Sequence, residues 1–372
     1  MSSSTGPRAE VDGDVSRQEI EVYDPGAVTA EWLDRVLRDA GRLDDGMRVV
    51  GFDREDIGTG QVGANIRYRL RYEGASGPAS VVAKFAAADE TSRSTGVMTR
   101  TYETEVDFYR ELADTVDISR PACYLASIVS GTADLVLVFE DLAPRVQGDQ
   151  IAGCDLARAE LAMDEAARLH GPRWGDDTLL RHEWLAAGVA GTGGIAGFYD
   201  LTWDRFVERY TTRLTSEALE VGRALHERIA DWVAYQPLAL TLAHGDYRLD
   251  NMLFGPPDGD RPLVVVDWQT VRLGCGTSDV AYFLGAGLQR DVRRAHERDL
   301  VARYHAALGA YGVDYPFDAC WEDYRRYSFS GYVMAVIASV LVGRTDRGDD
   351  MFMAMANRHA AQAVDLDATE LL

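Results

Sequence analysis

The segment that most constrains the fold of this chain is residues 242–254, LAHGDYRLDNMLF. Its pattern predicts a short apolar strand that enters a polar loop and leaves it into a second apolar run. His244, Asp246 and Asn251 would then stand on one rigid turn. A capping histidine in an Asx-rich turn would explain any one of these residues, but it does not explain the whole string.

The loop carries the residue types that in-line phosphoryl transfer requires. That reaction needs a carboxylate that orients the attacking hydroxyl and accepts its proton late, and Asp246 can supply it. It also needs an amide oxygen that helps to hold Mg²⁺, and Asn251, five residues later, can supply that. Arg248 could balance charge on the transferring phosphoryl group.

A second acidic residue follows at the end of a predicted buried strand. Residues 263–266 are apolar and lead directly into Asp267, sixteen residues after Asn251. A buried carboxylate without compensation is costly, and a Mg²⁺ ion that bridges a triphosphate would compensate it. The alternative is a helix cap, which suits Asp279 better than Asp267.

The glycine-rich segment of residues 58–63, GTGQVG, fits either a dinucleotide-binding fold or the phosphate-binding hairpin of a kinase. A dinucleotide fingerprint opens a helix and has an acid about twenty residues later. Here an alternating strand follows at residues 64–72, and Lys84 stands at about that later position. We therefore predict a hairpin tip whose backbone N–H groups approach phosphates, with a plain hairpin turn as the alternative. The glycines concerned are Gly58, Gly60 and Gly63.

Lys84 ends the apolar segment VVAKF, and a lysine in such a position needs a partner. Glu105, on a helix predicted over residues 98–112, can reach it, and the pair would hold the ammonium against nucleotide phosphates. Glu103 is the rival partner. A snorkelling lysine beside a solvated helix face is the ordinary alternative.

The hydrophobic pattern as a whole predicts an α+β protein of two lobes. Residues 1–45 read as a leader and a helix. Residues 46–142 read as a small, nucleotide-binding lobe with an antiparallel sheet. Residues 143–372 read as a larger, mainly helical lobe for catalysis and substrate binding. The strands of the small lobe are predicted at residues 47–52, 64–72, 80–85, 123–129 and 134–139.

Within the larger lobe, one continuous helix is predicted over residues 203–235, and the Gly/Ala-rich residues 186–197 are predicted as a loop. Residues 332–342 form the longest apolar run, which is too short to cross a bilayer and indicates a buried helix.

Charge and cysteine usage restrict the partners. The chain has 38 basic and 60 acidic residues, and its formal net charge of −22 would repel nucleic acid and anionic membranes. Its four cysteines lie far apart without a C-x-x-C pair, so neither a zinc cage nor a disulfide framework is predicted. We expect a cytoplasmic protein without nucleic-acid or membrane partners, and its oligomeric state stays open.

Together, the segments HGDYRLDN, VVVDWQ, DVAYFL and VVAKF and the glycine-rich hairpin resemble the aminoglycoside phosphotransferase and choline kinase superfamily, whose catalytic core is similar to that of protein kinases. Within this superfamily the chain most resembles the ecdysteroid kinase-like subgroup. The residues that suggest this subgroup are Gln269 after Asp-Trp, and Glu105 followed by Phe108 and Tyr109. The resemblance runs from about residue 50 to about residue 345.

The resemblance implies a bilobal, protein-kinase-like fold that binds ATP or GTP with Mg²⁺. It implies that Asp246 is the catalytic base and that Asn251 and Asp267 bind the metal. Lys84 and Glu105 would position the phosphates, and Asp279 would brace the catalytic loop. The hinge that faces the adenine would be residues 139–142, which include Phe139, Glu140 and Leu142.

The chain has HGD where protein kinases have HRD and DWQ where they have DFG, and no A-P-E element is visible. We therefore expect a small-molecule hydroxyl acceptor, aminoglycoside-, macrolide- or steroid-like, rather than a peptide. Five aromatic residues could line its pocket, although aromatics at helical spacing are more often core. They are Trp203, Phe206, Tyr210, Tyr327 and Tyr332.

Two other functions share parts of this sequence pattern. A non-catalytic nucleotide-binding sensor could use the same fold, but the intact Asp246 and Asp267 argue against it. A dehydrogenase built on the glycine motif fails because no helix opens at the motif and no acid follows it.

Overall fold

The structure is a computed structural model that describes residues 21–57, 63–74, 77–190 and 193–372. Its N-terminal part is built on a five-stranded antiparallel sheet with the strand order β1-β2-β3-β5-β4. The strands are β1 Arg48–Ile57, β2 Gly63–Glu73, β3 Ser80–Ala86, β4 Cys123–Ile128 and β5 Leu135–Glu140. All five lie where the sequence pattern predicts strands.

Alternation along β2 explains how the sheet is covered. Ile66 and Tyr68 are buried, whereas Arg69 on the opposite face pairs with Glu55 of β1 at 2.6 Å. The helix α1, Ala30–Asp39, packs on the buried face, and the hydroxyl of Thr29 caps it by accepting from the backbone N–H of Trp32 at 3.2 Å. Thr29 is thus the N-cap at which α1 begins.

Two helices, α2 Glu90–Met98 and α3 Thr101–Asp107, connect β3 to β4. The single helix predicted over residues 98–112 is therefore wrong at its start. Arg100 lies between the two helices in the left-handed region, with φ of 58°, and this interrupts the helical backbone. A short π-helical turn, Phe108–Leu112, continues α3.

The C-terminal part is mainly helical, and five short strands lie within it. The strands are β6 Val146–Gln147, β7 Thr241–Ala243, β8 Met252–Phe254, β9 Leu263–Val265 and β10 Arg272–Gly274. The helices are α4 Leu156–His170, α5 Glu183–Ala190, α6 Gly193–Tyr210, α7 Ser216–Val233, α8 Gly276–Gly287, α9 Arg290–Leu308, α10 Phe317–Tyr327, α11 Ser330–Leu341 and α12 Asp346–Asp365.

Two predictions for this part are wrong. Residues 203–235 form not one helix but α6 and α7, because Thr215 accepts a hydrogen bond from the backbone N–H of Ala218 at 3.1 Å and so starts a new helix. The Gly/Ala-rich residues 186–197 are mostly helical, in α5 and α6, and packing of α6 against α7 and α11 outweighs the low helix propensity of glycine.

The apolar run of residues 332–342 lies in α11, much of which is buried, as predicted. Across the part of the chain that the structure describes, no helix combines the length and the apolar character needed to cross a membrane.

His359 of α12 fills a space that two glycines leave between helices. A Cβ atom at Gly331 of α11 or at Gly285 of α8 would collide with its imidazole ring. The ring is fully buried, and burial lowers the pKa of His359 to about 4. His359 therefore packs as a neutral side chain.

This burial predicts that the protein loses stability in mild acid. Between pH 6.5 and about 4 the unfolded chain binds a proton that the folded chain does not, so the free energy of unfolding falls as pH falls through that window. The drop between pH 7 and pH 5 should be about 2 kcal/mol from this residue alone. Urea unfolding of the wild type and of His359→Met at both pH values tests it, and an equal drop in the variant would contradict the assignment.

Candidate functional site

Two short sheets hold the polar loops of the site. β7 pairs with β10, and β8 pairs with β6 and β9. β7 ends at Ala243, so the loop of residues 244–251 crosses from one sheet to the other, and Asp267 lies two residues after the end of β9. The backbone N–H of Val266 donates to the carbonyl of Asn251 at 2.9 Å, which joins the two loops.

Asp279, in the first turn of α8, holds the loop of residues 244–251 by hydrogen bonds to its backbone. Its carboxylate accepts from the backbone N–H groups of His244 at 2.6 Å and Gly245 at 3.1 Å. His170 contacts the same carboxylate through Nε2 at 3.2 Å. Burial acts to raise the pKa of Asp279, but the bond from His170 and its charge outweigh burial and lower it. The hydrogen bonds of Asp279 are those of the predicted bracing role.

His244 makes a second connection between the loop of residues 244–251 and the segment that leads to Asp267. Its Nδ1 accepts from the backbone N–H of Asp246 at 3.3 Å, so its Nε2 carries the proton and donates to the carbonyl of Val266 at 3.1 Å. The ring also packs on the indole of Trp268, with centroids 4.8 Å apart. Sequence reasoning placed His244 on the turn but did not identify this coupling.

Asp246 lies at the centre of the site and receives three hydrogen-bond donors. Nε of Arg248 is 2.9 Å from both carboxylate oxygens, the Tyr282 hydroxyl is 2.9 Å from Oδ1, and Nδ2 of Asn251 is 2.9 Å from Oδ2. Its side chain keeps 21% of its surface exposed, so a ligand can reach it. Burial acts to raise the pKa of the Asp246 carboxyl, but Arg248 and Tyr282 outweigh burial and lower it.

Arg248 forms ion pairs with two carboxylates of its own loop. Besides Asp246 it contacts Asp250 through Nη1 at 2.9 Å, and Arg347 of α12 contacts Asp250 at 3.1 Å. The pKa of Arg248 is raised because Asp246 and Asp250 favour its charged form more than burial opposes it. Arg248 thus lies beside Asp246, and it holds that carboxylate.

Tyr282 was missed as a site residue, although it lies in the DVAYFL segment of α8. Its position three residues after Asp279 puts both side chains on the face of α8 that meets the loop. The hydroxyl is buried, and burial and Asp246 raise the pKa of Tyr282, so it stays a hydrogen-bond donor.

Removal of that donor should raise the pKa of Asp246. For Tyr282→Phe we expect the acidic limb of the pH profile of kcat/KM to move up by up to about one pH unit, since a hydrogen bond to the charged form lowers a carboxyl pKa. Tyr311→Phe, which removes a hydroxyl bonded to Asp117 and not to Asp246, is the control. An unmoved acidic limb would exclude this role for Tyr282.

Lys84 reaches the site from β3. Its Nζ lies 2.6 Å from Glu105 of α3 and 2.8 Å from Asp267. Burial acts to lower the pKa of Lys84, but the two carboxylates outweigh it and raise the pKa, so the ammonium stays charged. The rival partner Glu103 instead binds Arg100 at 2.8 Å. The structure therefore pairs Lys84 with Glu105, and it adds Asp267.

Lys84 is also the only lysine in the chain, so the remaining 37 of the 38 basic residues are arginine (38 minus 1). Arginine binds planar oxyanions as a fork, whereas lysine is a compact point charge. A single lysine among so many arginines is a signal in the sequence that points to position 84.

The residues predicted as metal ligands have donor atoms suited to Mg²⁺. Nδ2 of Asn251 binds Asp246, which leaves its amide oxygen for a cation. Asp267 keeps 28% of its side-chain surface exposed and has a left-handed backbone, with φ of 68°. In the described residues no three His, Cys, Asp or Glu side chains form a metal cluster. Two oxygen ligands fit a Mg²⁺ ion that phosphates and water also bind.

The predicted hinge continues β5. Phe139 packs on Tyr109 with ring centroids 4.9 Å apart, and Leu142 is buried. The Glu140 carboxylate binds Arg261 at 2.6 Å, so its side chain joins the two parts of the chain. The backbone N–H of Glu140 donates to the carbonyl of Ala122 at 2.9 Å, so it is already bonded as well. Gly63 lies close to Lys84, because a Cβ atom there would be 3.0 Å from Cε of Lys84. Gly58 and Gly60 lie outside the described residues.

The suggestion that aromatic side chains line the acceptor pocket is wrong for four of the five. They are buried in the core of the helical part because α6 packs against α7 and α11 there. Tyr327 is half-buried and remains a candidate. The four core residues are Trp203, Phe206, Tyr210 and Tyr332.

Parts of known proteins resemble the sequence of this chain. Residues 198–312, which include Asp246, Asn251 and Asp267, match the model of the ecdysteroid kinase-like family. Acyl-CoA dehydrogenase family member 10 of Mus musculus is 44% identical over 62 residues, which are 15% of this chain and 5% of that protein. The probable acyl-CoA dehydrogenase IBR3 of Arabidopsis thaliana is 33% identical over 86 residues, 21% of this chain and 10% of that protein. The chain matches only these small shares of its curated relatives.

Solved structures resemble this chain over most of its length. The GDP complex of an aminoglycoside 2'-phosphotransferase-IIIa has a TM-score of 0.53 at 14% identity, over 84% of this chain and 94% of that one. The ethanolamine kinase of Plasmodium vivax has a TM-score of 0.52 at 10% identity, over 82% and 81%. At these identities the likeness concerns the fold, and it confirms the predicted bilobal α+β architecture.

Proposed function

We propose that this chain, which has the bilobal fold of the aminoglycoside phosphotransferase and choline kinase superfamily, transfers the terminal phosphoryl group of a nucleoside triphosphate to a hydroxyl of a small molecule. The observation that carries the proposal is the single lysine, held 2.6 Å from Glu105 and 2.8 Å from Asp267, beside a loop that carries Asp246 and Asn251. A phosphate-binding cation, two oxygen ligands and a carboxylate are then joined by contacts between neighbouring segments.

In this proposal Asp246 accepts a hydrogen bond from the acceptor hydroxyl. A carboxylate offers about four lone-pair sites, and four contacts from Arg248, Tyr282 and Asn251 fill them. The acceptor hydroxyl would replace one of the two contacts that Nε of Arg248 shares between the carboxylate oxygens. Its lowered pKa keeps it ionised at neutral pH. A weak base suits a loose transition state, in which the hydroxyl proton moves late. Asp246 therefore orients the nucleophile and takes its proton at the end.

The remaining residues would hold the nucleotide. Lys84 would donate to the phosphates, and Asn251 and Asp267 would bind Mg²⁺, which neutralises phosphate charge when bound. ATP or GTP would enter between residues 46–142, as the nucleotide-binding lobe, and residues 143–372, as the catalytic and substrate-binding lobe. Residues 1–45 would be a leader and a helix, and that helix, α1, packs on the sheet of the smaller lobe.

The acceptor would be a hydroxylated compound, aminoglycoside-, macrolide- or steroid-like in kind. Support comes from the structural relatives, whose names include aminoglycoside phosphotransferases and an ethanolamine kinase. The four cysteines are free, which fits a reducing, cytoplasmic compartment.

The single lysine gives a direct test of nucleotide binding. An acyl phosphate of ATP or GTP acylates a lysine next to the bound phosphates, so peptide mapping should find one modified side chain, at Lys84. Excess Mg-ATP should suppress the modification, and Lys84→Arg should abolish it. Modification that Mg-ATP does not suppress would contradict the proposed nucleotide site.

A turnover assay distinguishes the proposed kinase function from that of a non-catalytic sensor. With Mg-ATP and a panel of hydroxylated compounds, the proposal predicts acceptor-stimulated ADP formation and a phosphorylated acceptor by mass spectrometry. Protected labelling of Lys84 without phosphorylation of any acceptor would favour the sensor.

A further inference from the structure

Arg272 is a half-buried arginine next to the candidate site, and in the described part of the chain its side chain has no hydrogen bond and no ion pair. It begins β10, where it lies opposite Ala243, the last residue of β7 before the loop that carries Asp246. A guanidinium that is partly removed from water needs an anionic partner. The residues that the structure describes do not supply one.

Gly245 makes room for this side chain. Its φ is +83°, and a Cβ atom on it would collide with Nη1 of Arg272. The guanidinium therefore lies against the loop backbone one residue before Asp246. Any larger residue at position 245 would displace it.

The two oxygens of Asp246 define two sides of the site. Oδ2 faces Asn251, which belongs to the metal side, and Oδ1 faces Tyr282. The charge of Arg272 acts on the hydroxyls of Tyr282 and Tyr327, where it opposes the rise in pKa that burial causes. Arg272 thus acts on the Tyr282 side of Asp246, whereas the proposed metal ligand Asn251 contacts the other carboxylate oxygen.

Asp279, a carboxylate on which the charge of Arg272 acts, is already bonded to other groups. The charge of Arg272 reaches Asp279, but that carboxylate accepts from the backbone of His244 and Gly245 and contacts His170. It forms no ion pair with Arg272. The fork of donors on Arg272 is therefore left for a group that arrives from outside the chain.

We propose that Arg272 binds an oxyanion of the acceptor, either a carboxylate or a phosphate ester, while the acceptor hydroxyl points at Asp246. This rests on the proposed function and narrows its substrate class from any hydroxylated compound to one that also carries a negative charge. A guanidinium binds such groups through two parallel hydrogen bonds, and it repels the ammonium groups of an aminoglycoside.

The test uses hydroxylated compounds of one carbon skeleton that differ only in a terminal group: carboxylate, phosphate ester, carboxamide or amine. Calorimetric binding to the full-length protein with Mg-ADP needs no turnover. The carboxylate or the phosphate ester should bind about 10- to 100-fold more tightly than the carboxamide, as expected for a charge-assisted hydrogen bond. The stronger of the two identifies the natural oxyanion.

Arg272→Met should remove this preference, and Arg272→Lys should keep part of it. Arg223→Met, which makes the same change of charge at an exposed position of α7, should retain it. Equal binding of all four compounds to the wild type, or a preference that survives in Arg272→Met, would overturn the inference even if phosphoryl transfer occurs.

The same compounds in the turnover assay separate this inference from the proposed function. Charge-selective binding that depends on Arg272, without phosphorylation, would support the oxyanion site and contradict the kinase. If Arg272→Met lowered kcat equally for every acceptor and left the binding preference intact, Arg272 would act on the transferring phosphoryl group, and the inference would fail.

Discussion

Replacement of Asp246 by asparagine is expected to lower kcat for acceptor phosphorylation by about 10²- to 10⁴-fold, the usual contribution of a positioned general base. The amide cannot take the hydroxyl proton, and its NH₂ group would face donors from Arg248 or Asn251, each 2.9 Å from the present carboxylate. Single-turnover phosphorylation measured by mass spectrometry would give the rate.

Two controls define this result. Asp258→Asn makes the same change at an exposed position between β8 and β9 and should leave the rate unchanged. Nucleotide-protected labelling of Lys84 should persist in Asp246→Asn, because the phosphates bind elsewhere. A variant that binds nucleotide and still turns over at the wild-type rate would exclude Asp246 as the base.

Replacement of Lys84 by methionine should abolish nucleotide binding and also destabilise the fold by about 3 kcal/mol. Glu105 has only 3% of its side chain exposed, so loss of the ammonium 2.6 Å away leaves a buried carboxylate without its cation. This loss of stability should be smaller at low pH, because Glu105 can then bind a proton. Urea unfolding at two pH values measures it.

The double variant Lys84→Met with Glu105→Leu separates structure from function. It replaces the buried pair by apolar side chains, which is often neutral for stability, so much of the lost stability should return. Nucleotide binding should stay absent. Recovery of nucleotide binding in the double variant would show that Lys84 supports only the fold.

The predicted strands and the pairing of Lys84 with Glu105 came from signals local in sequence. Alternation in β2 and the apolar run before Lys84 depend on neighbours in the sheet, and both are visible in a short window. Helix boundaries were less certain. Thr215 starts α7 with a single side-chain hydrogen bond, and Arg100, in the left-handed region, lies between α2 and α3.

The residues that surround Asp246 could not be predicted in the same way. Tyr282 reaches it from 36 positions along the chain, and Arg272 approaches Gly245 only because β10 pairs with β7. Such contacts depend on strand register and on the direction of a helix face, which no local pattern encodes. The chemistry of the loop could therefore be predicted, whereas its surroundings required the fold.

Because Lys84 is the single lysine, proteolysis at this residue can measure the local opening of the small lobe. A lysine-specific endoprotease can cut this chain at one bond only, after Lys84, into residues 1–84 and 85–372. That bond lies within β3, between β2 and β5, so the strand must leave the sheet before it can be cut. When opening and closing are fast, the cleavage rate measures the free energy of that local opening. Ligands that bind the closed lobe should slow cleavage in proportion to their occupancy.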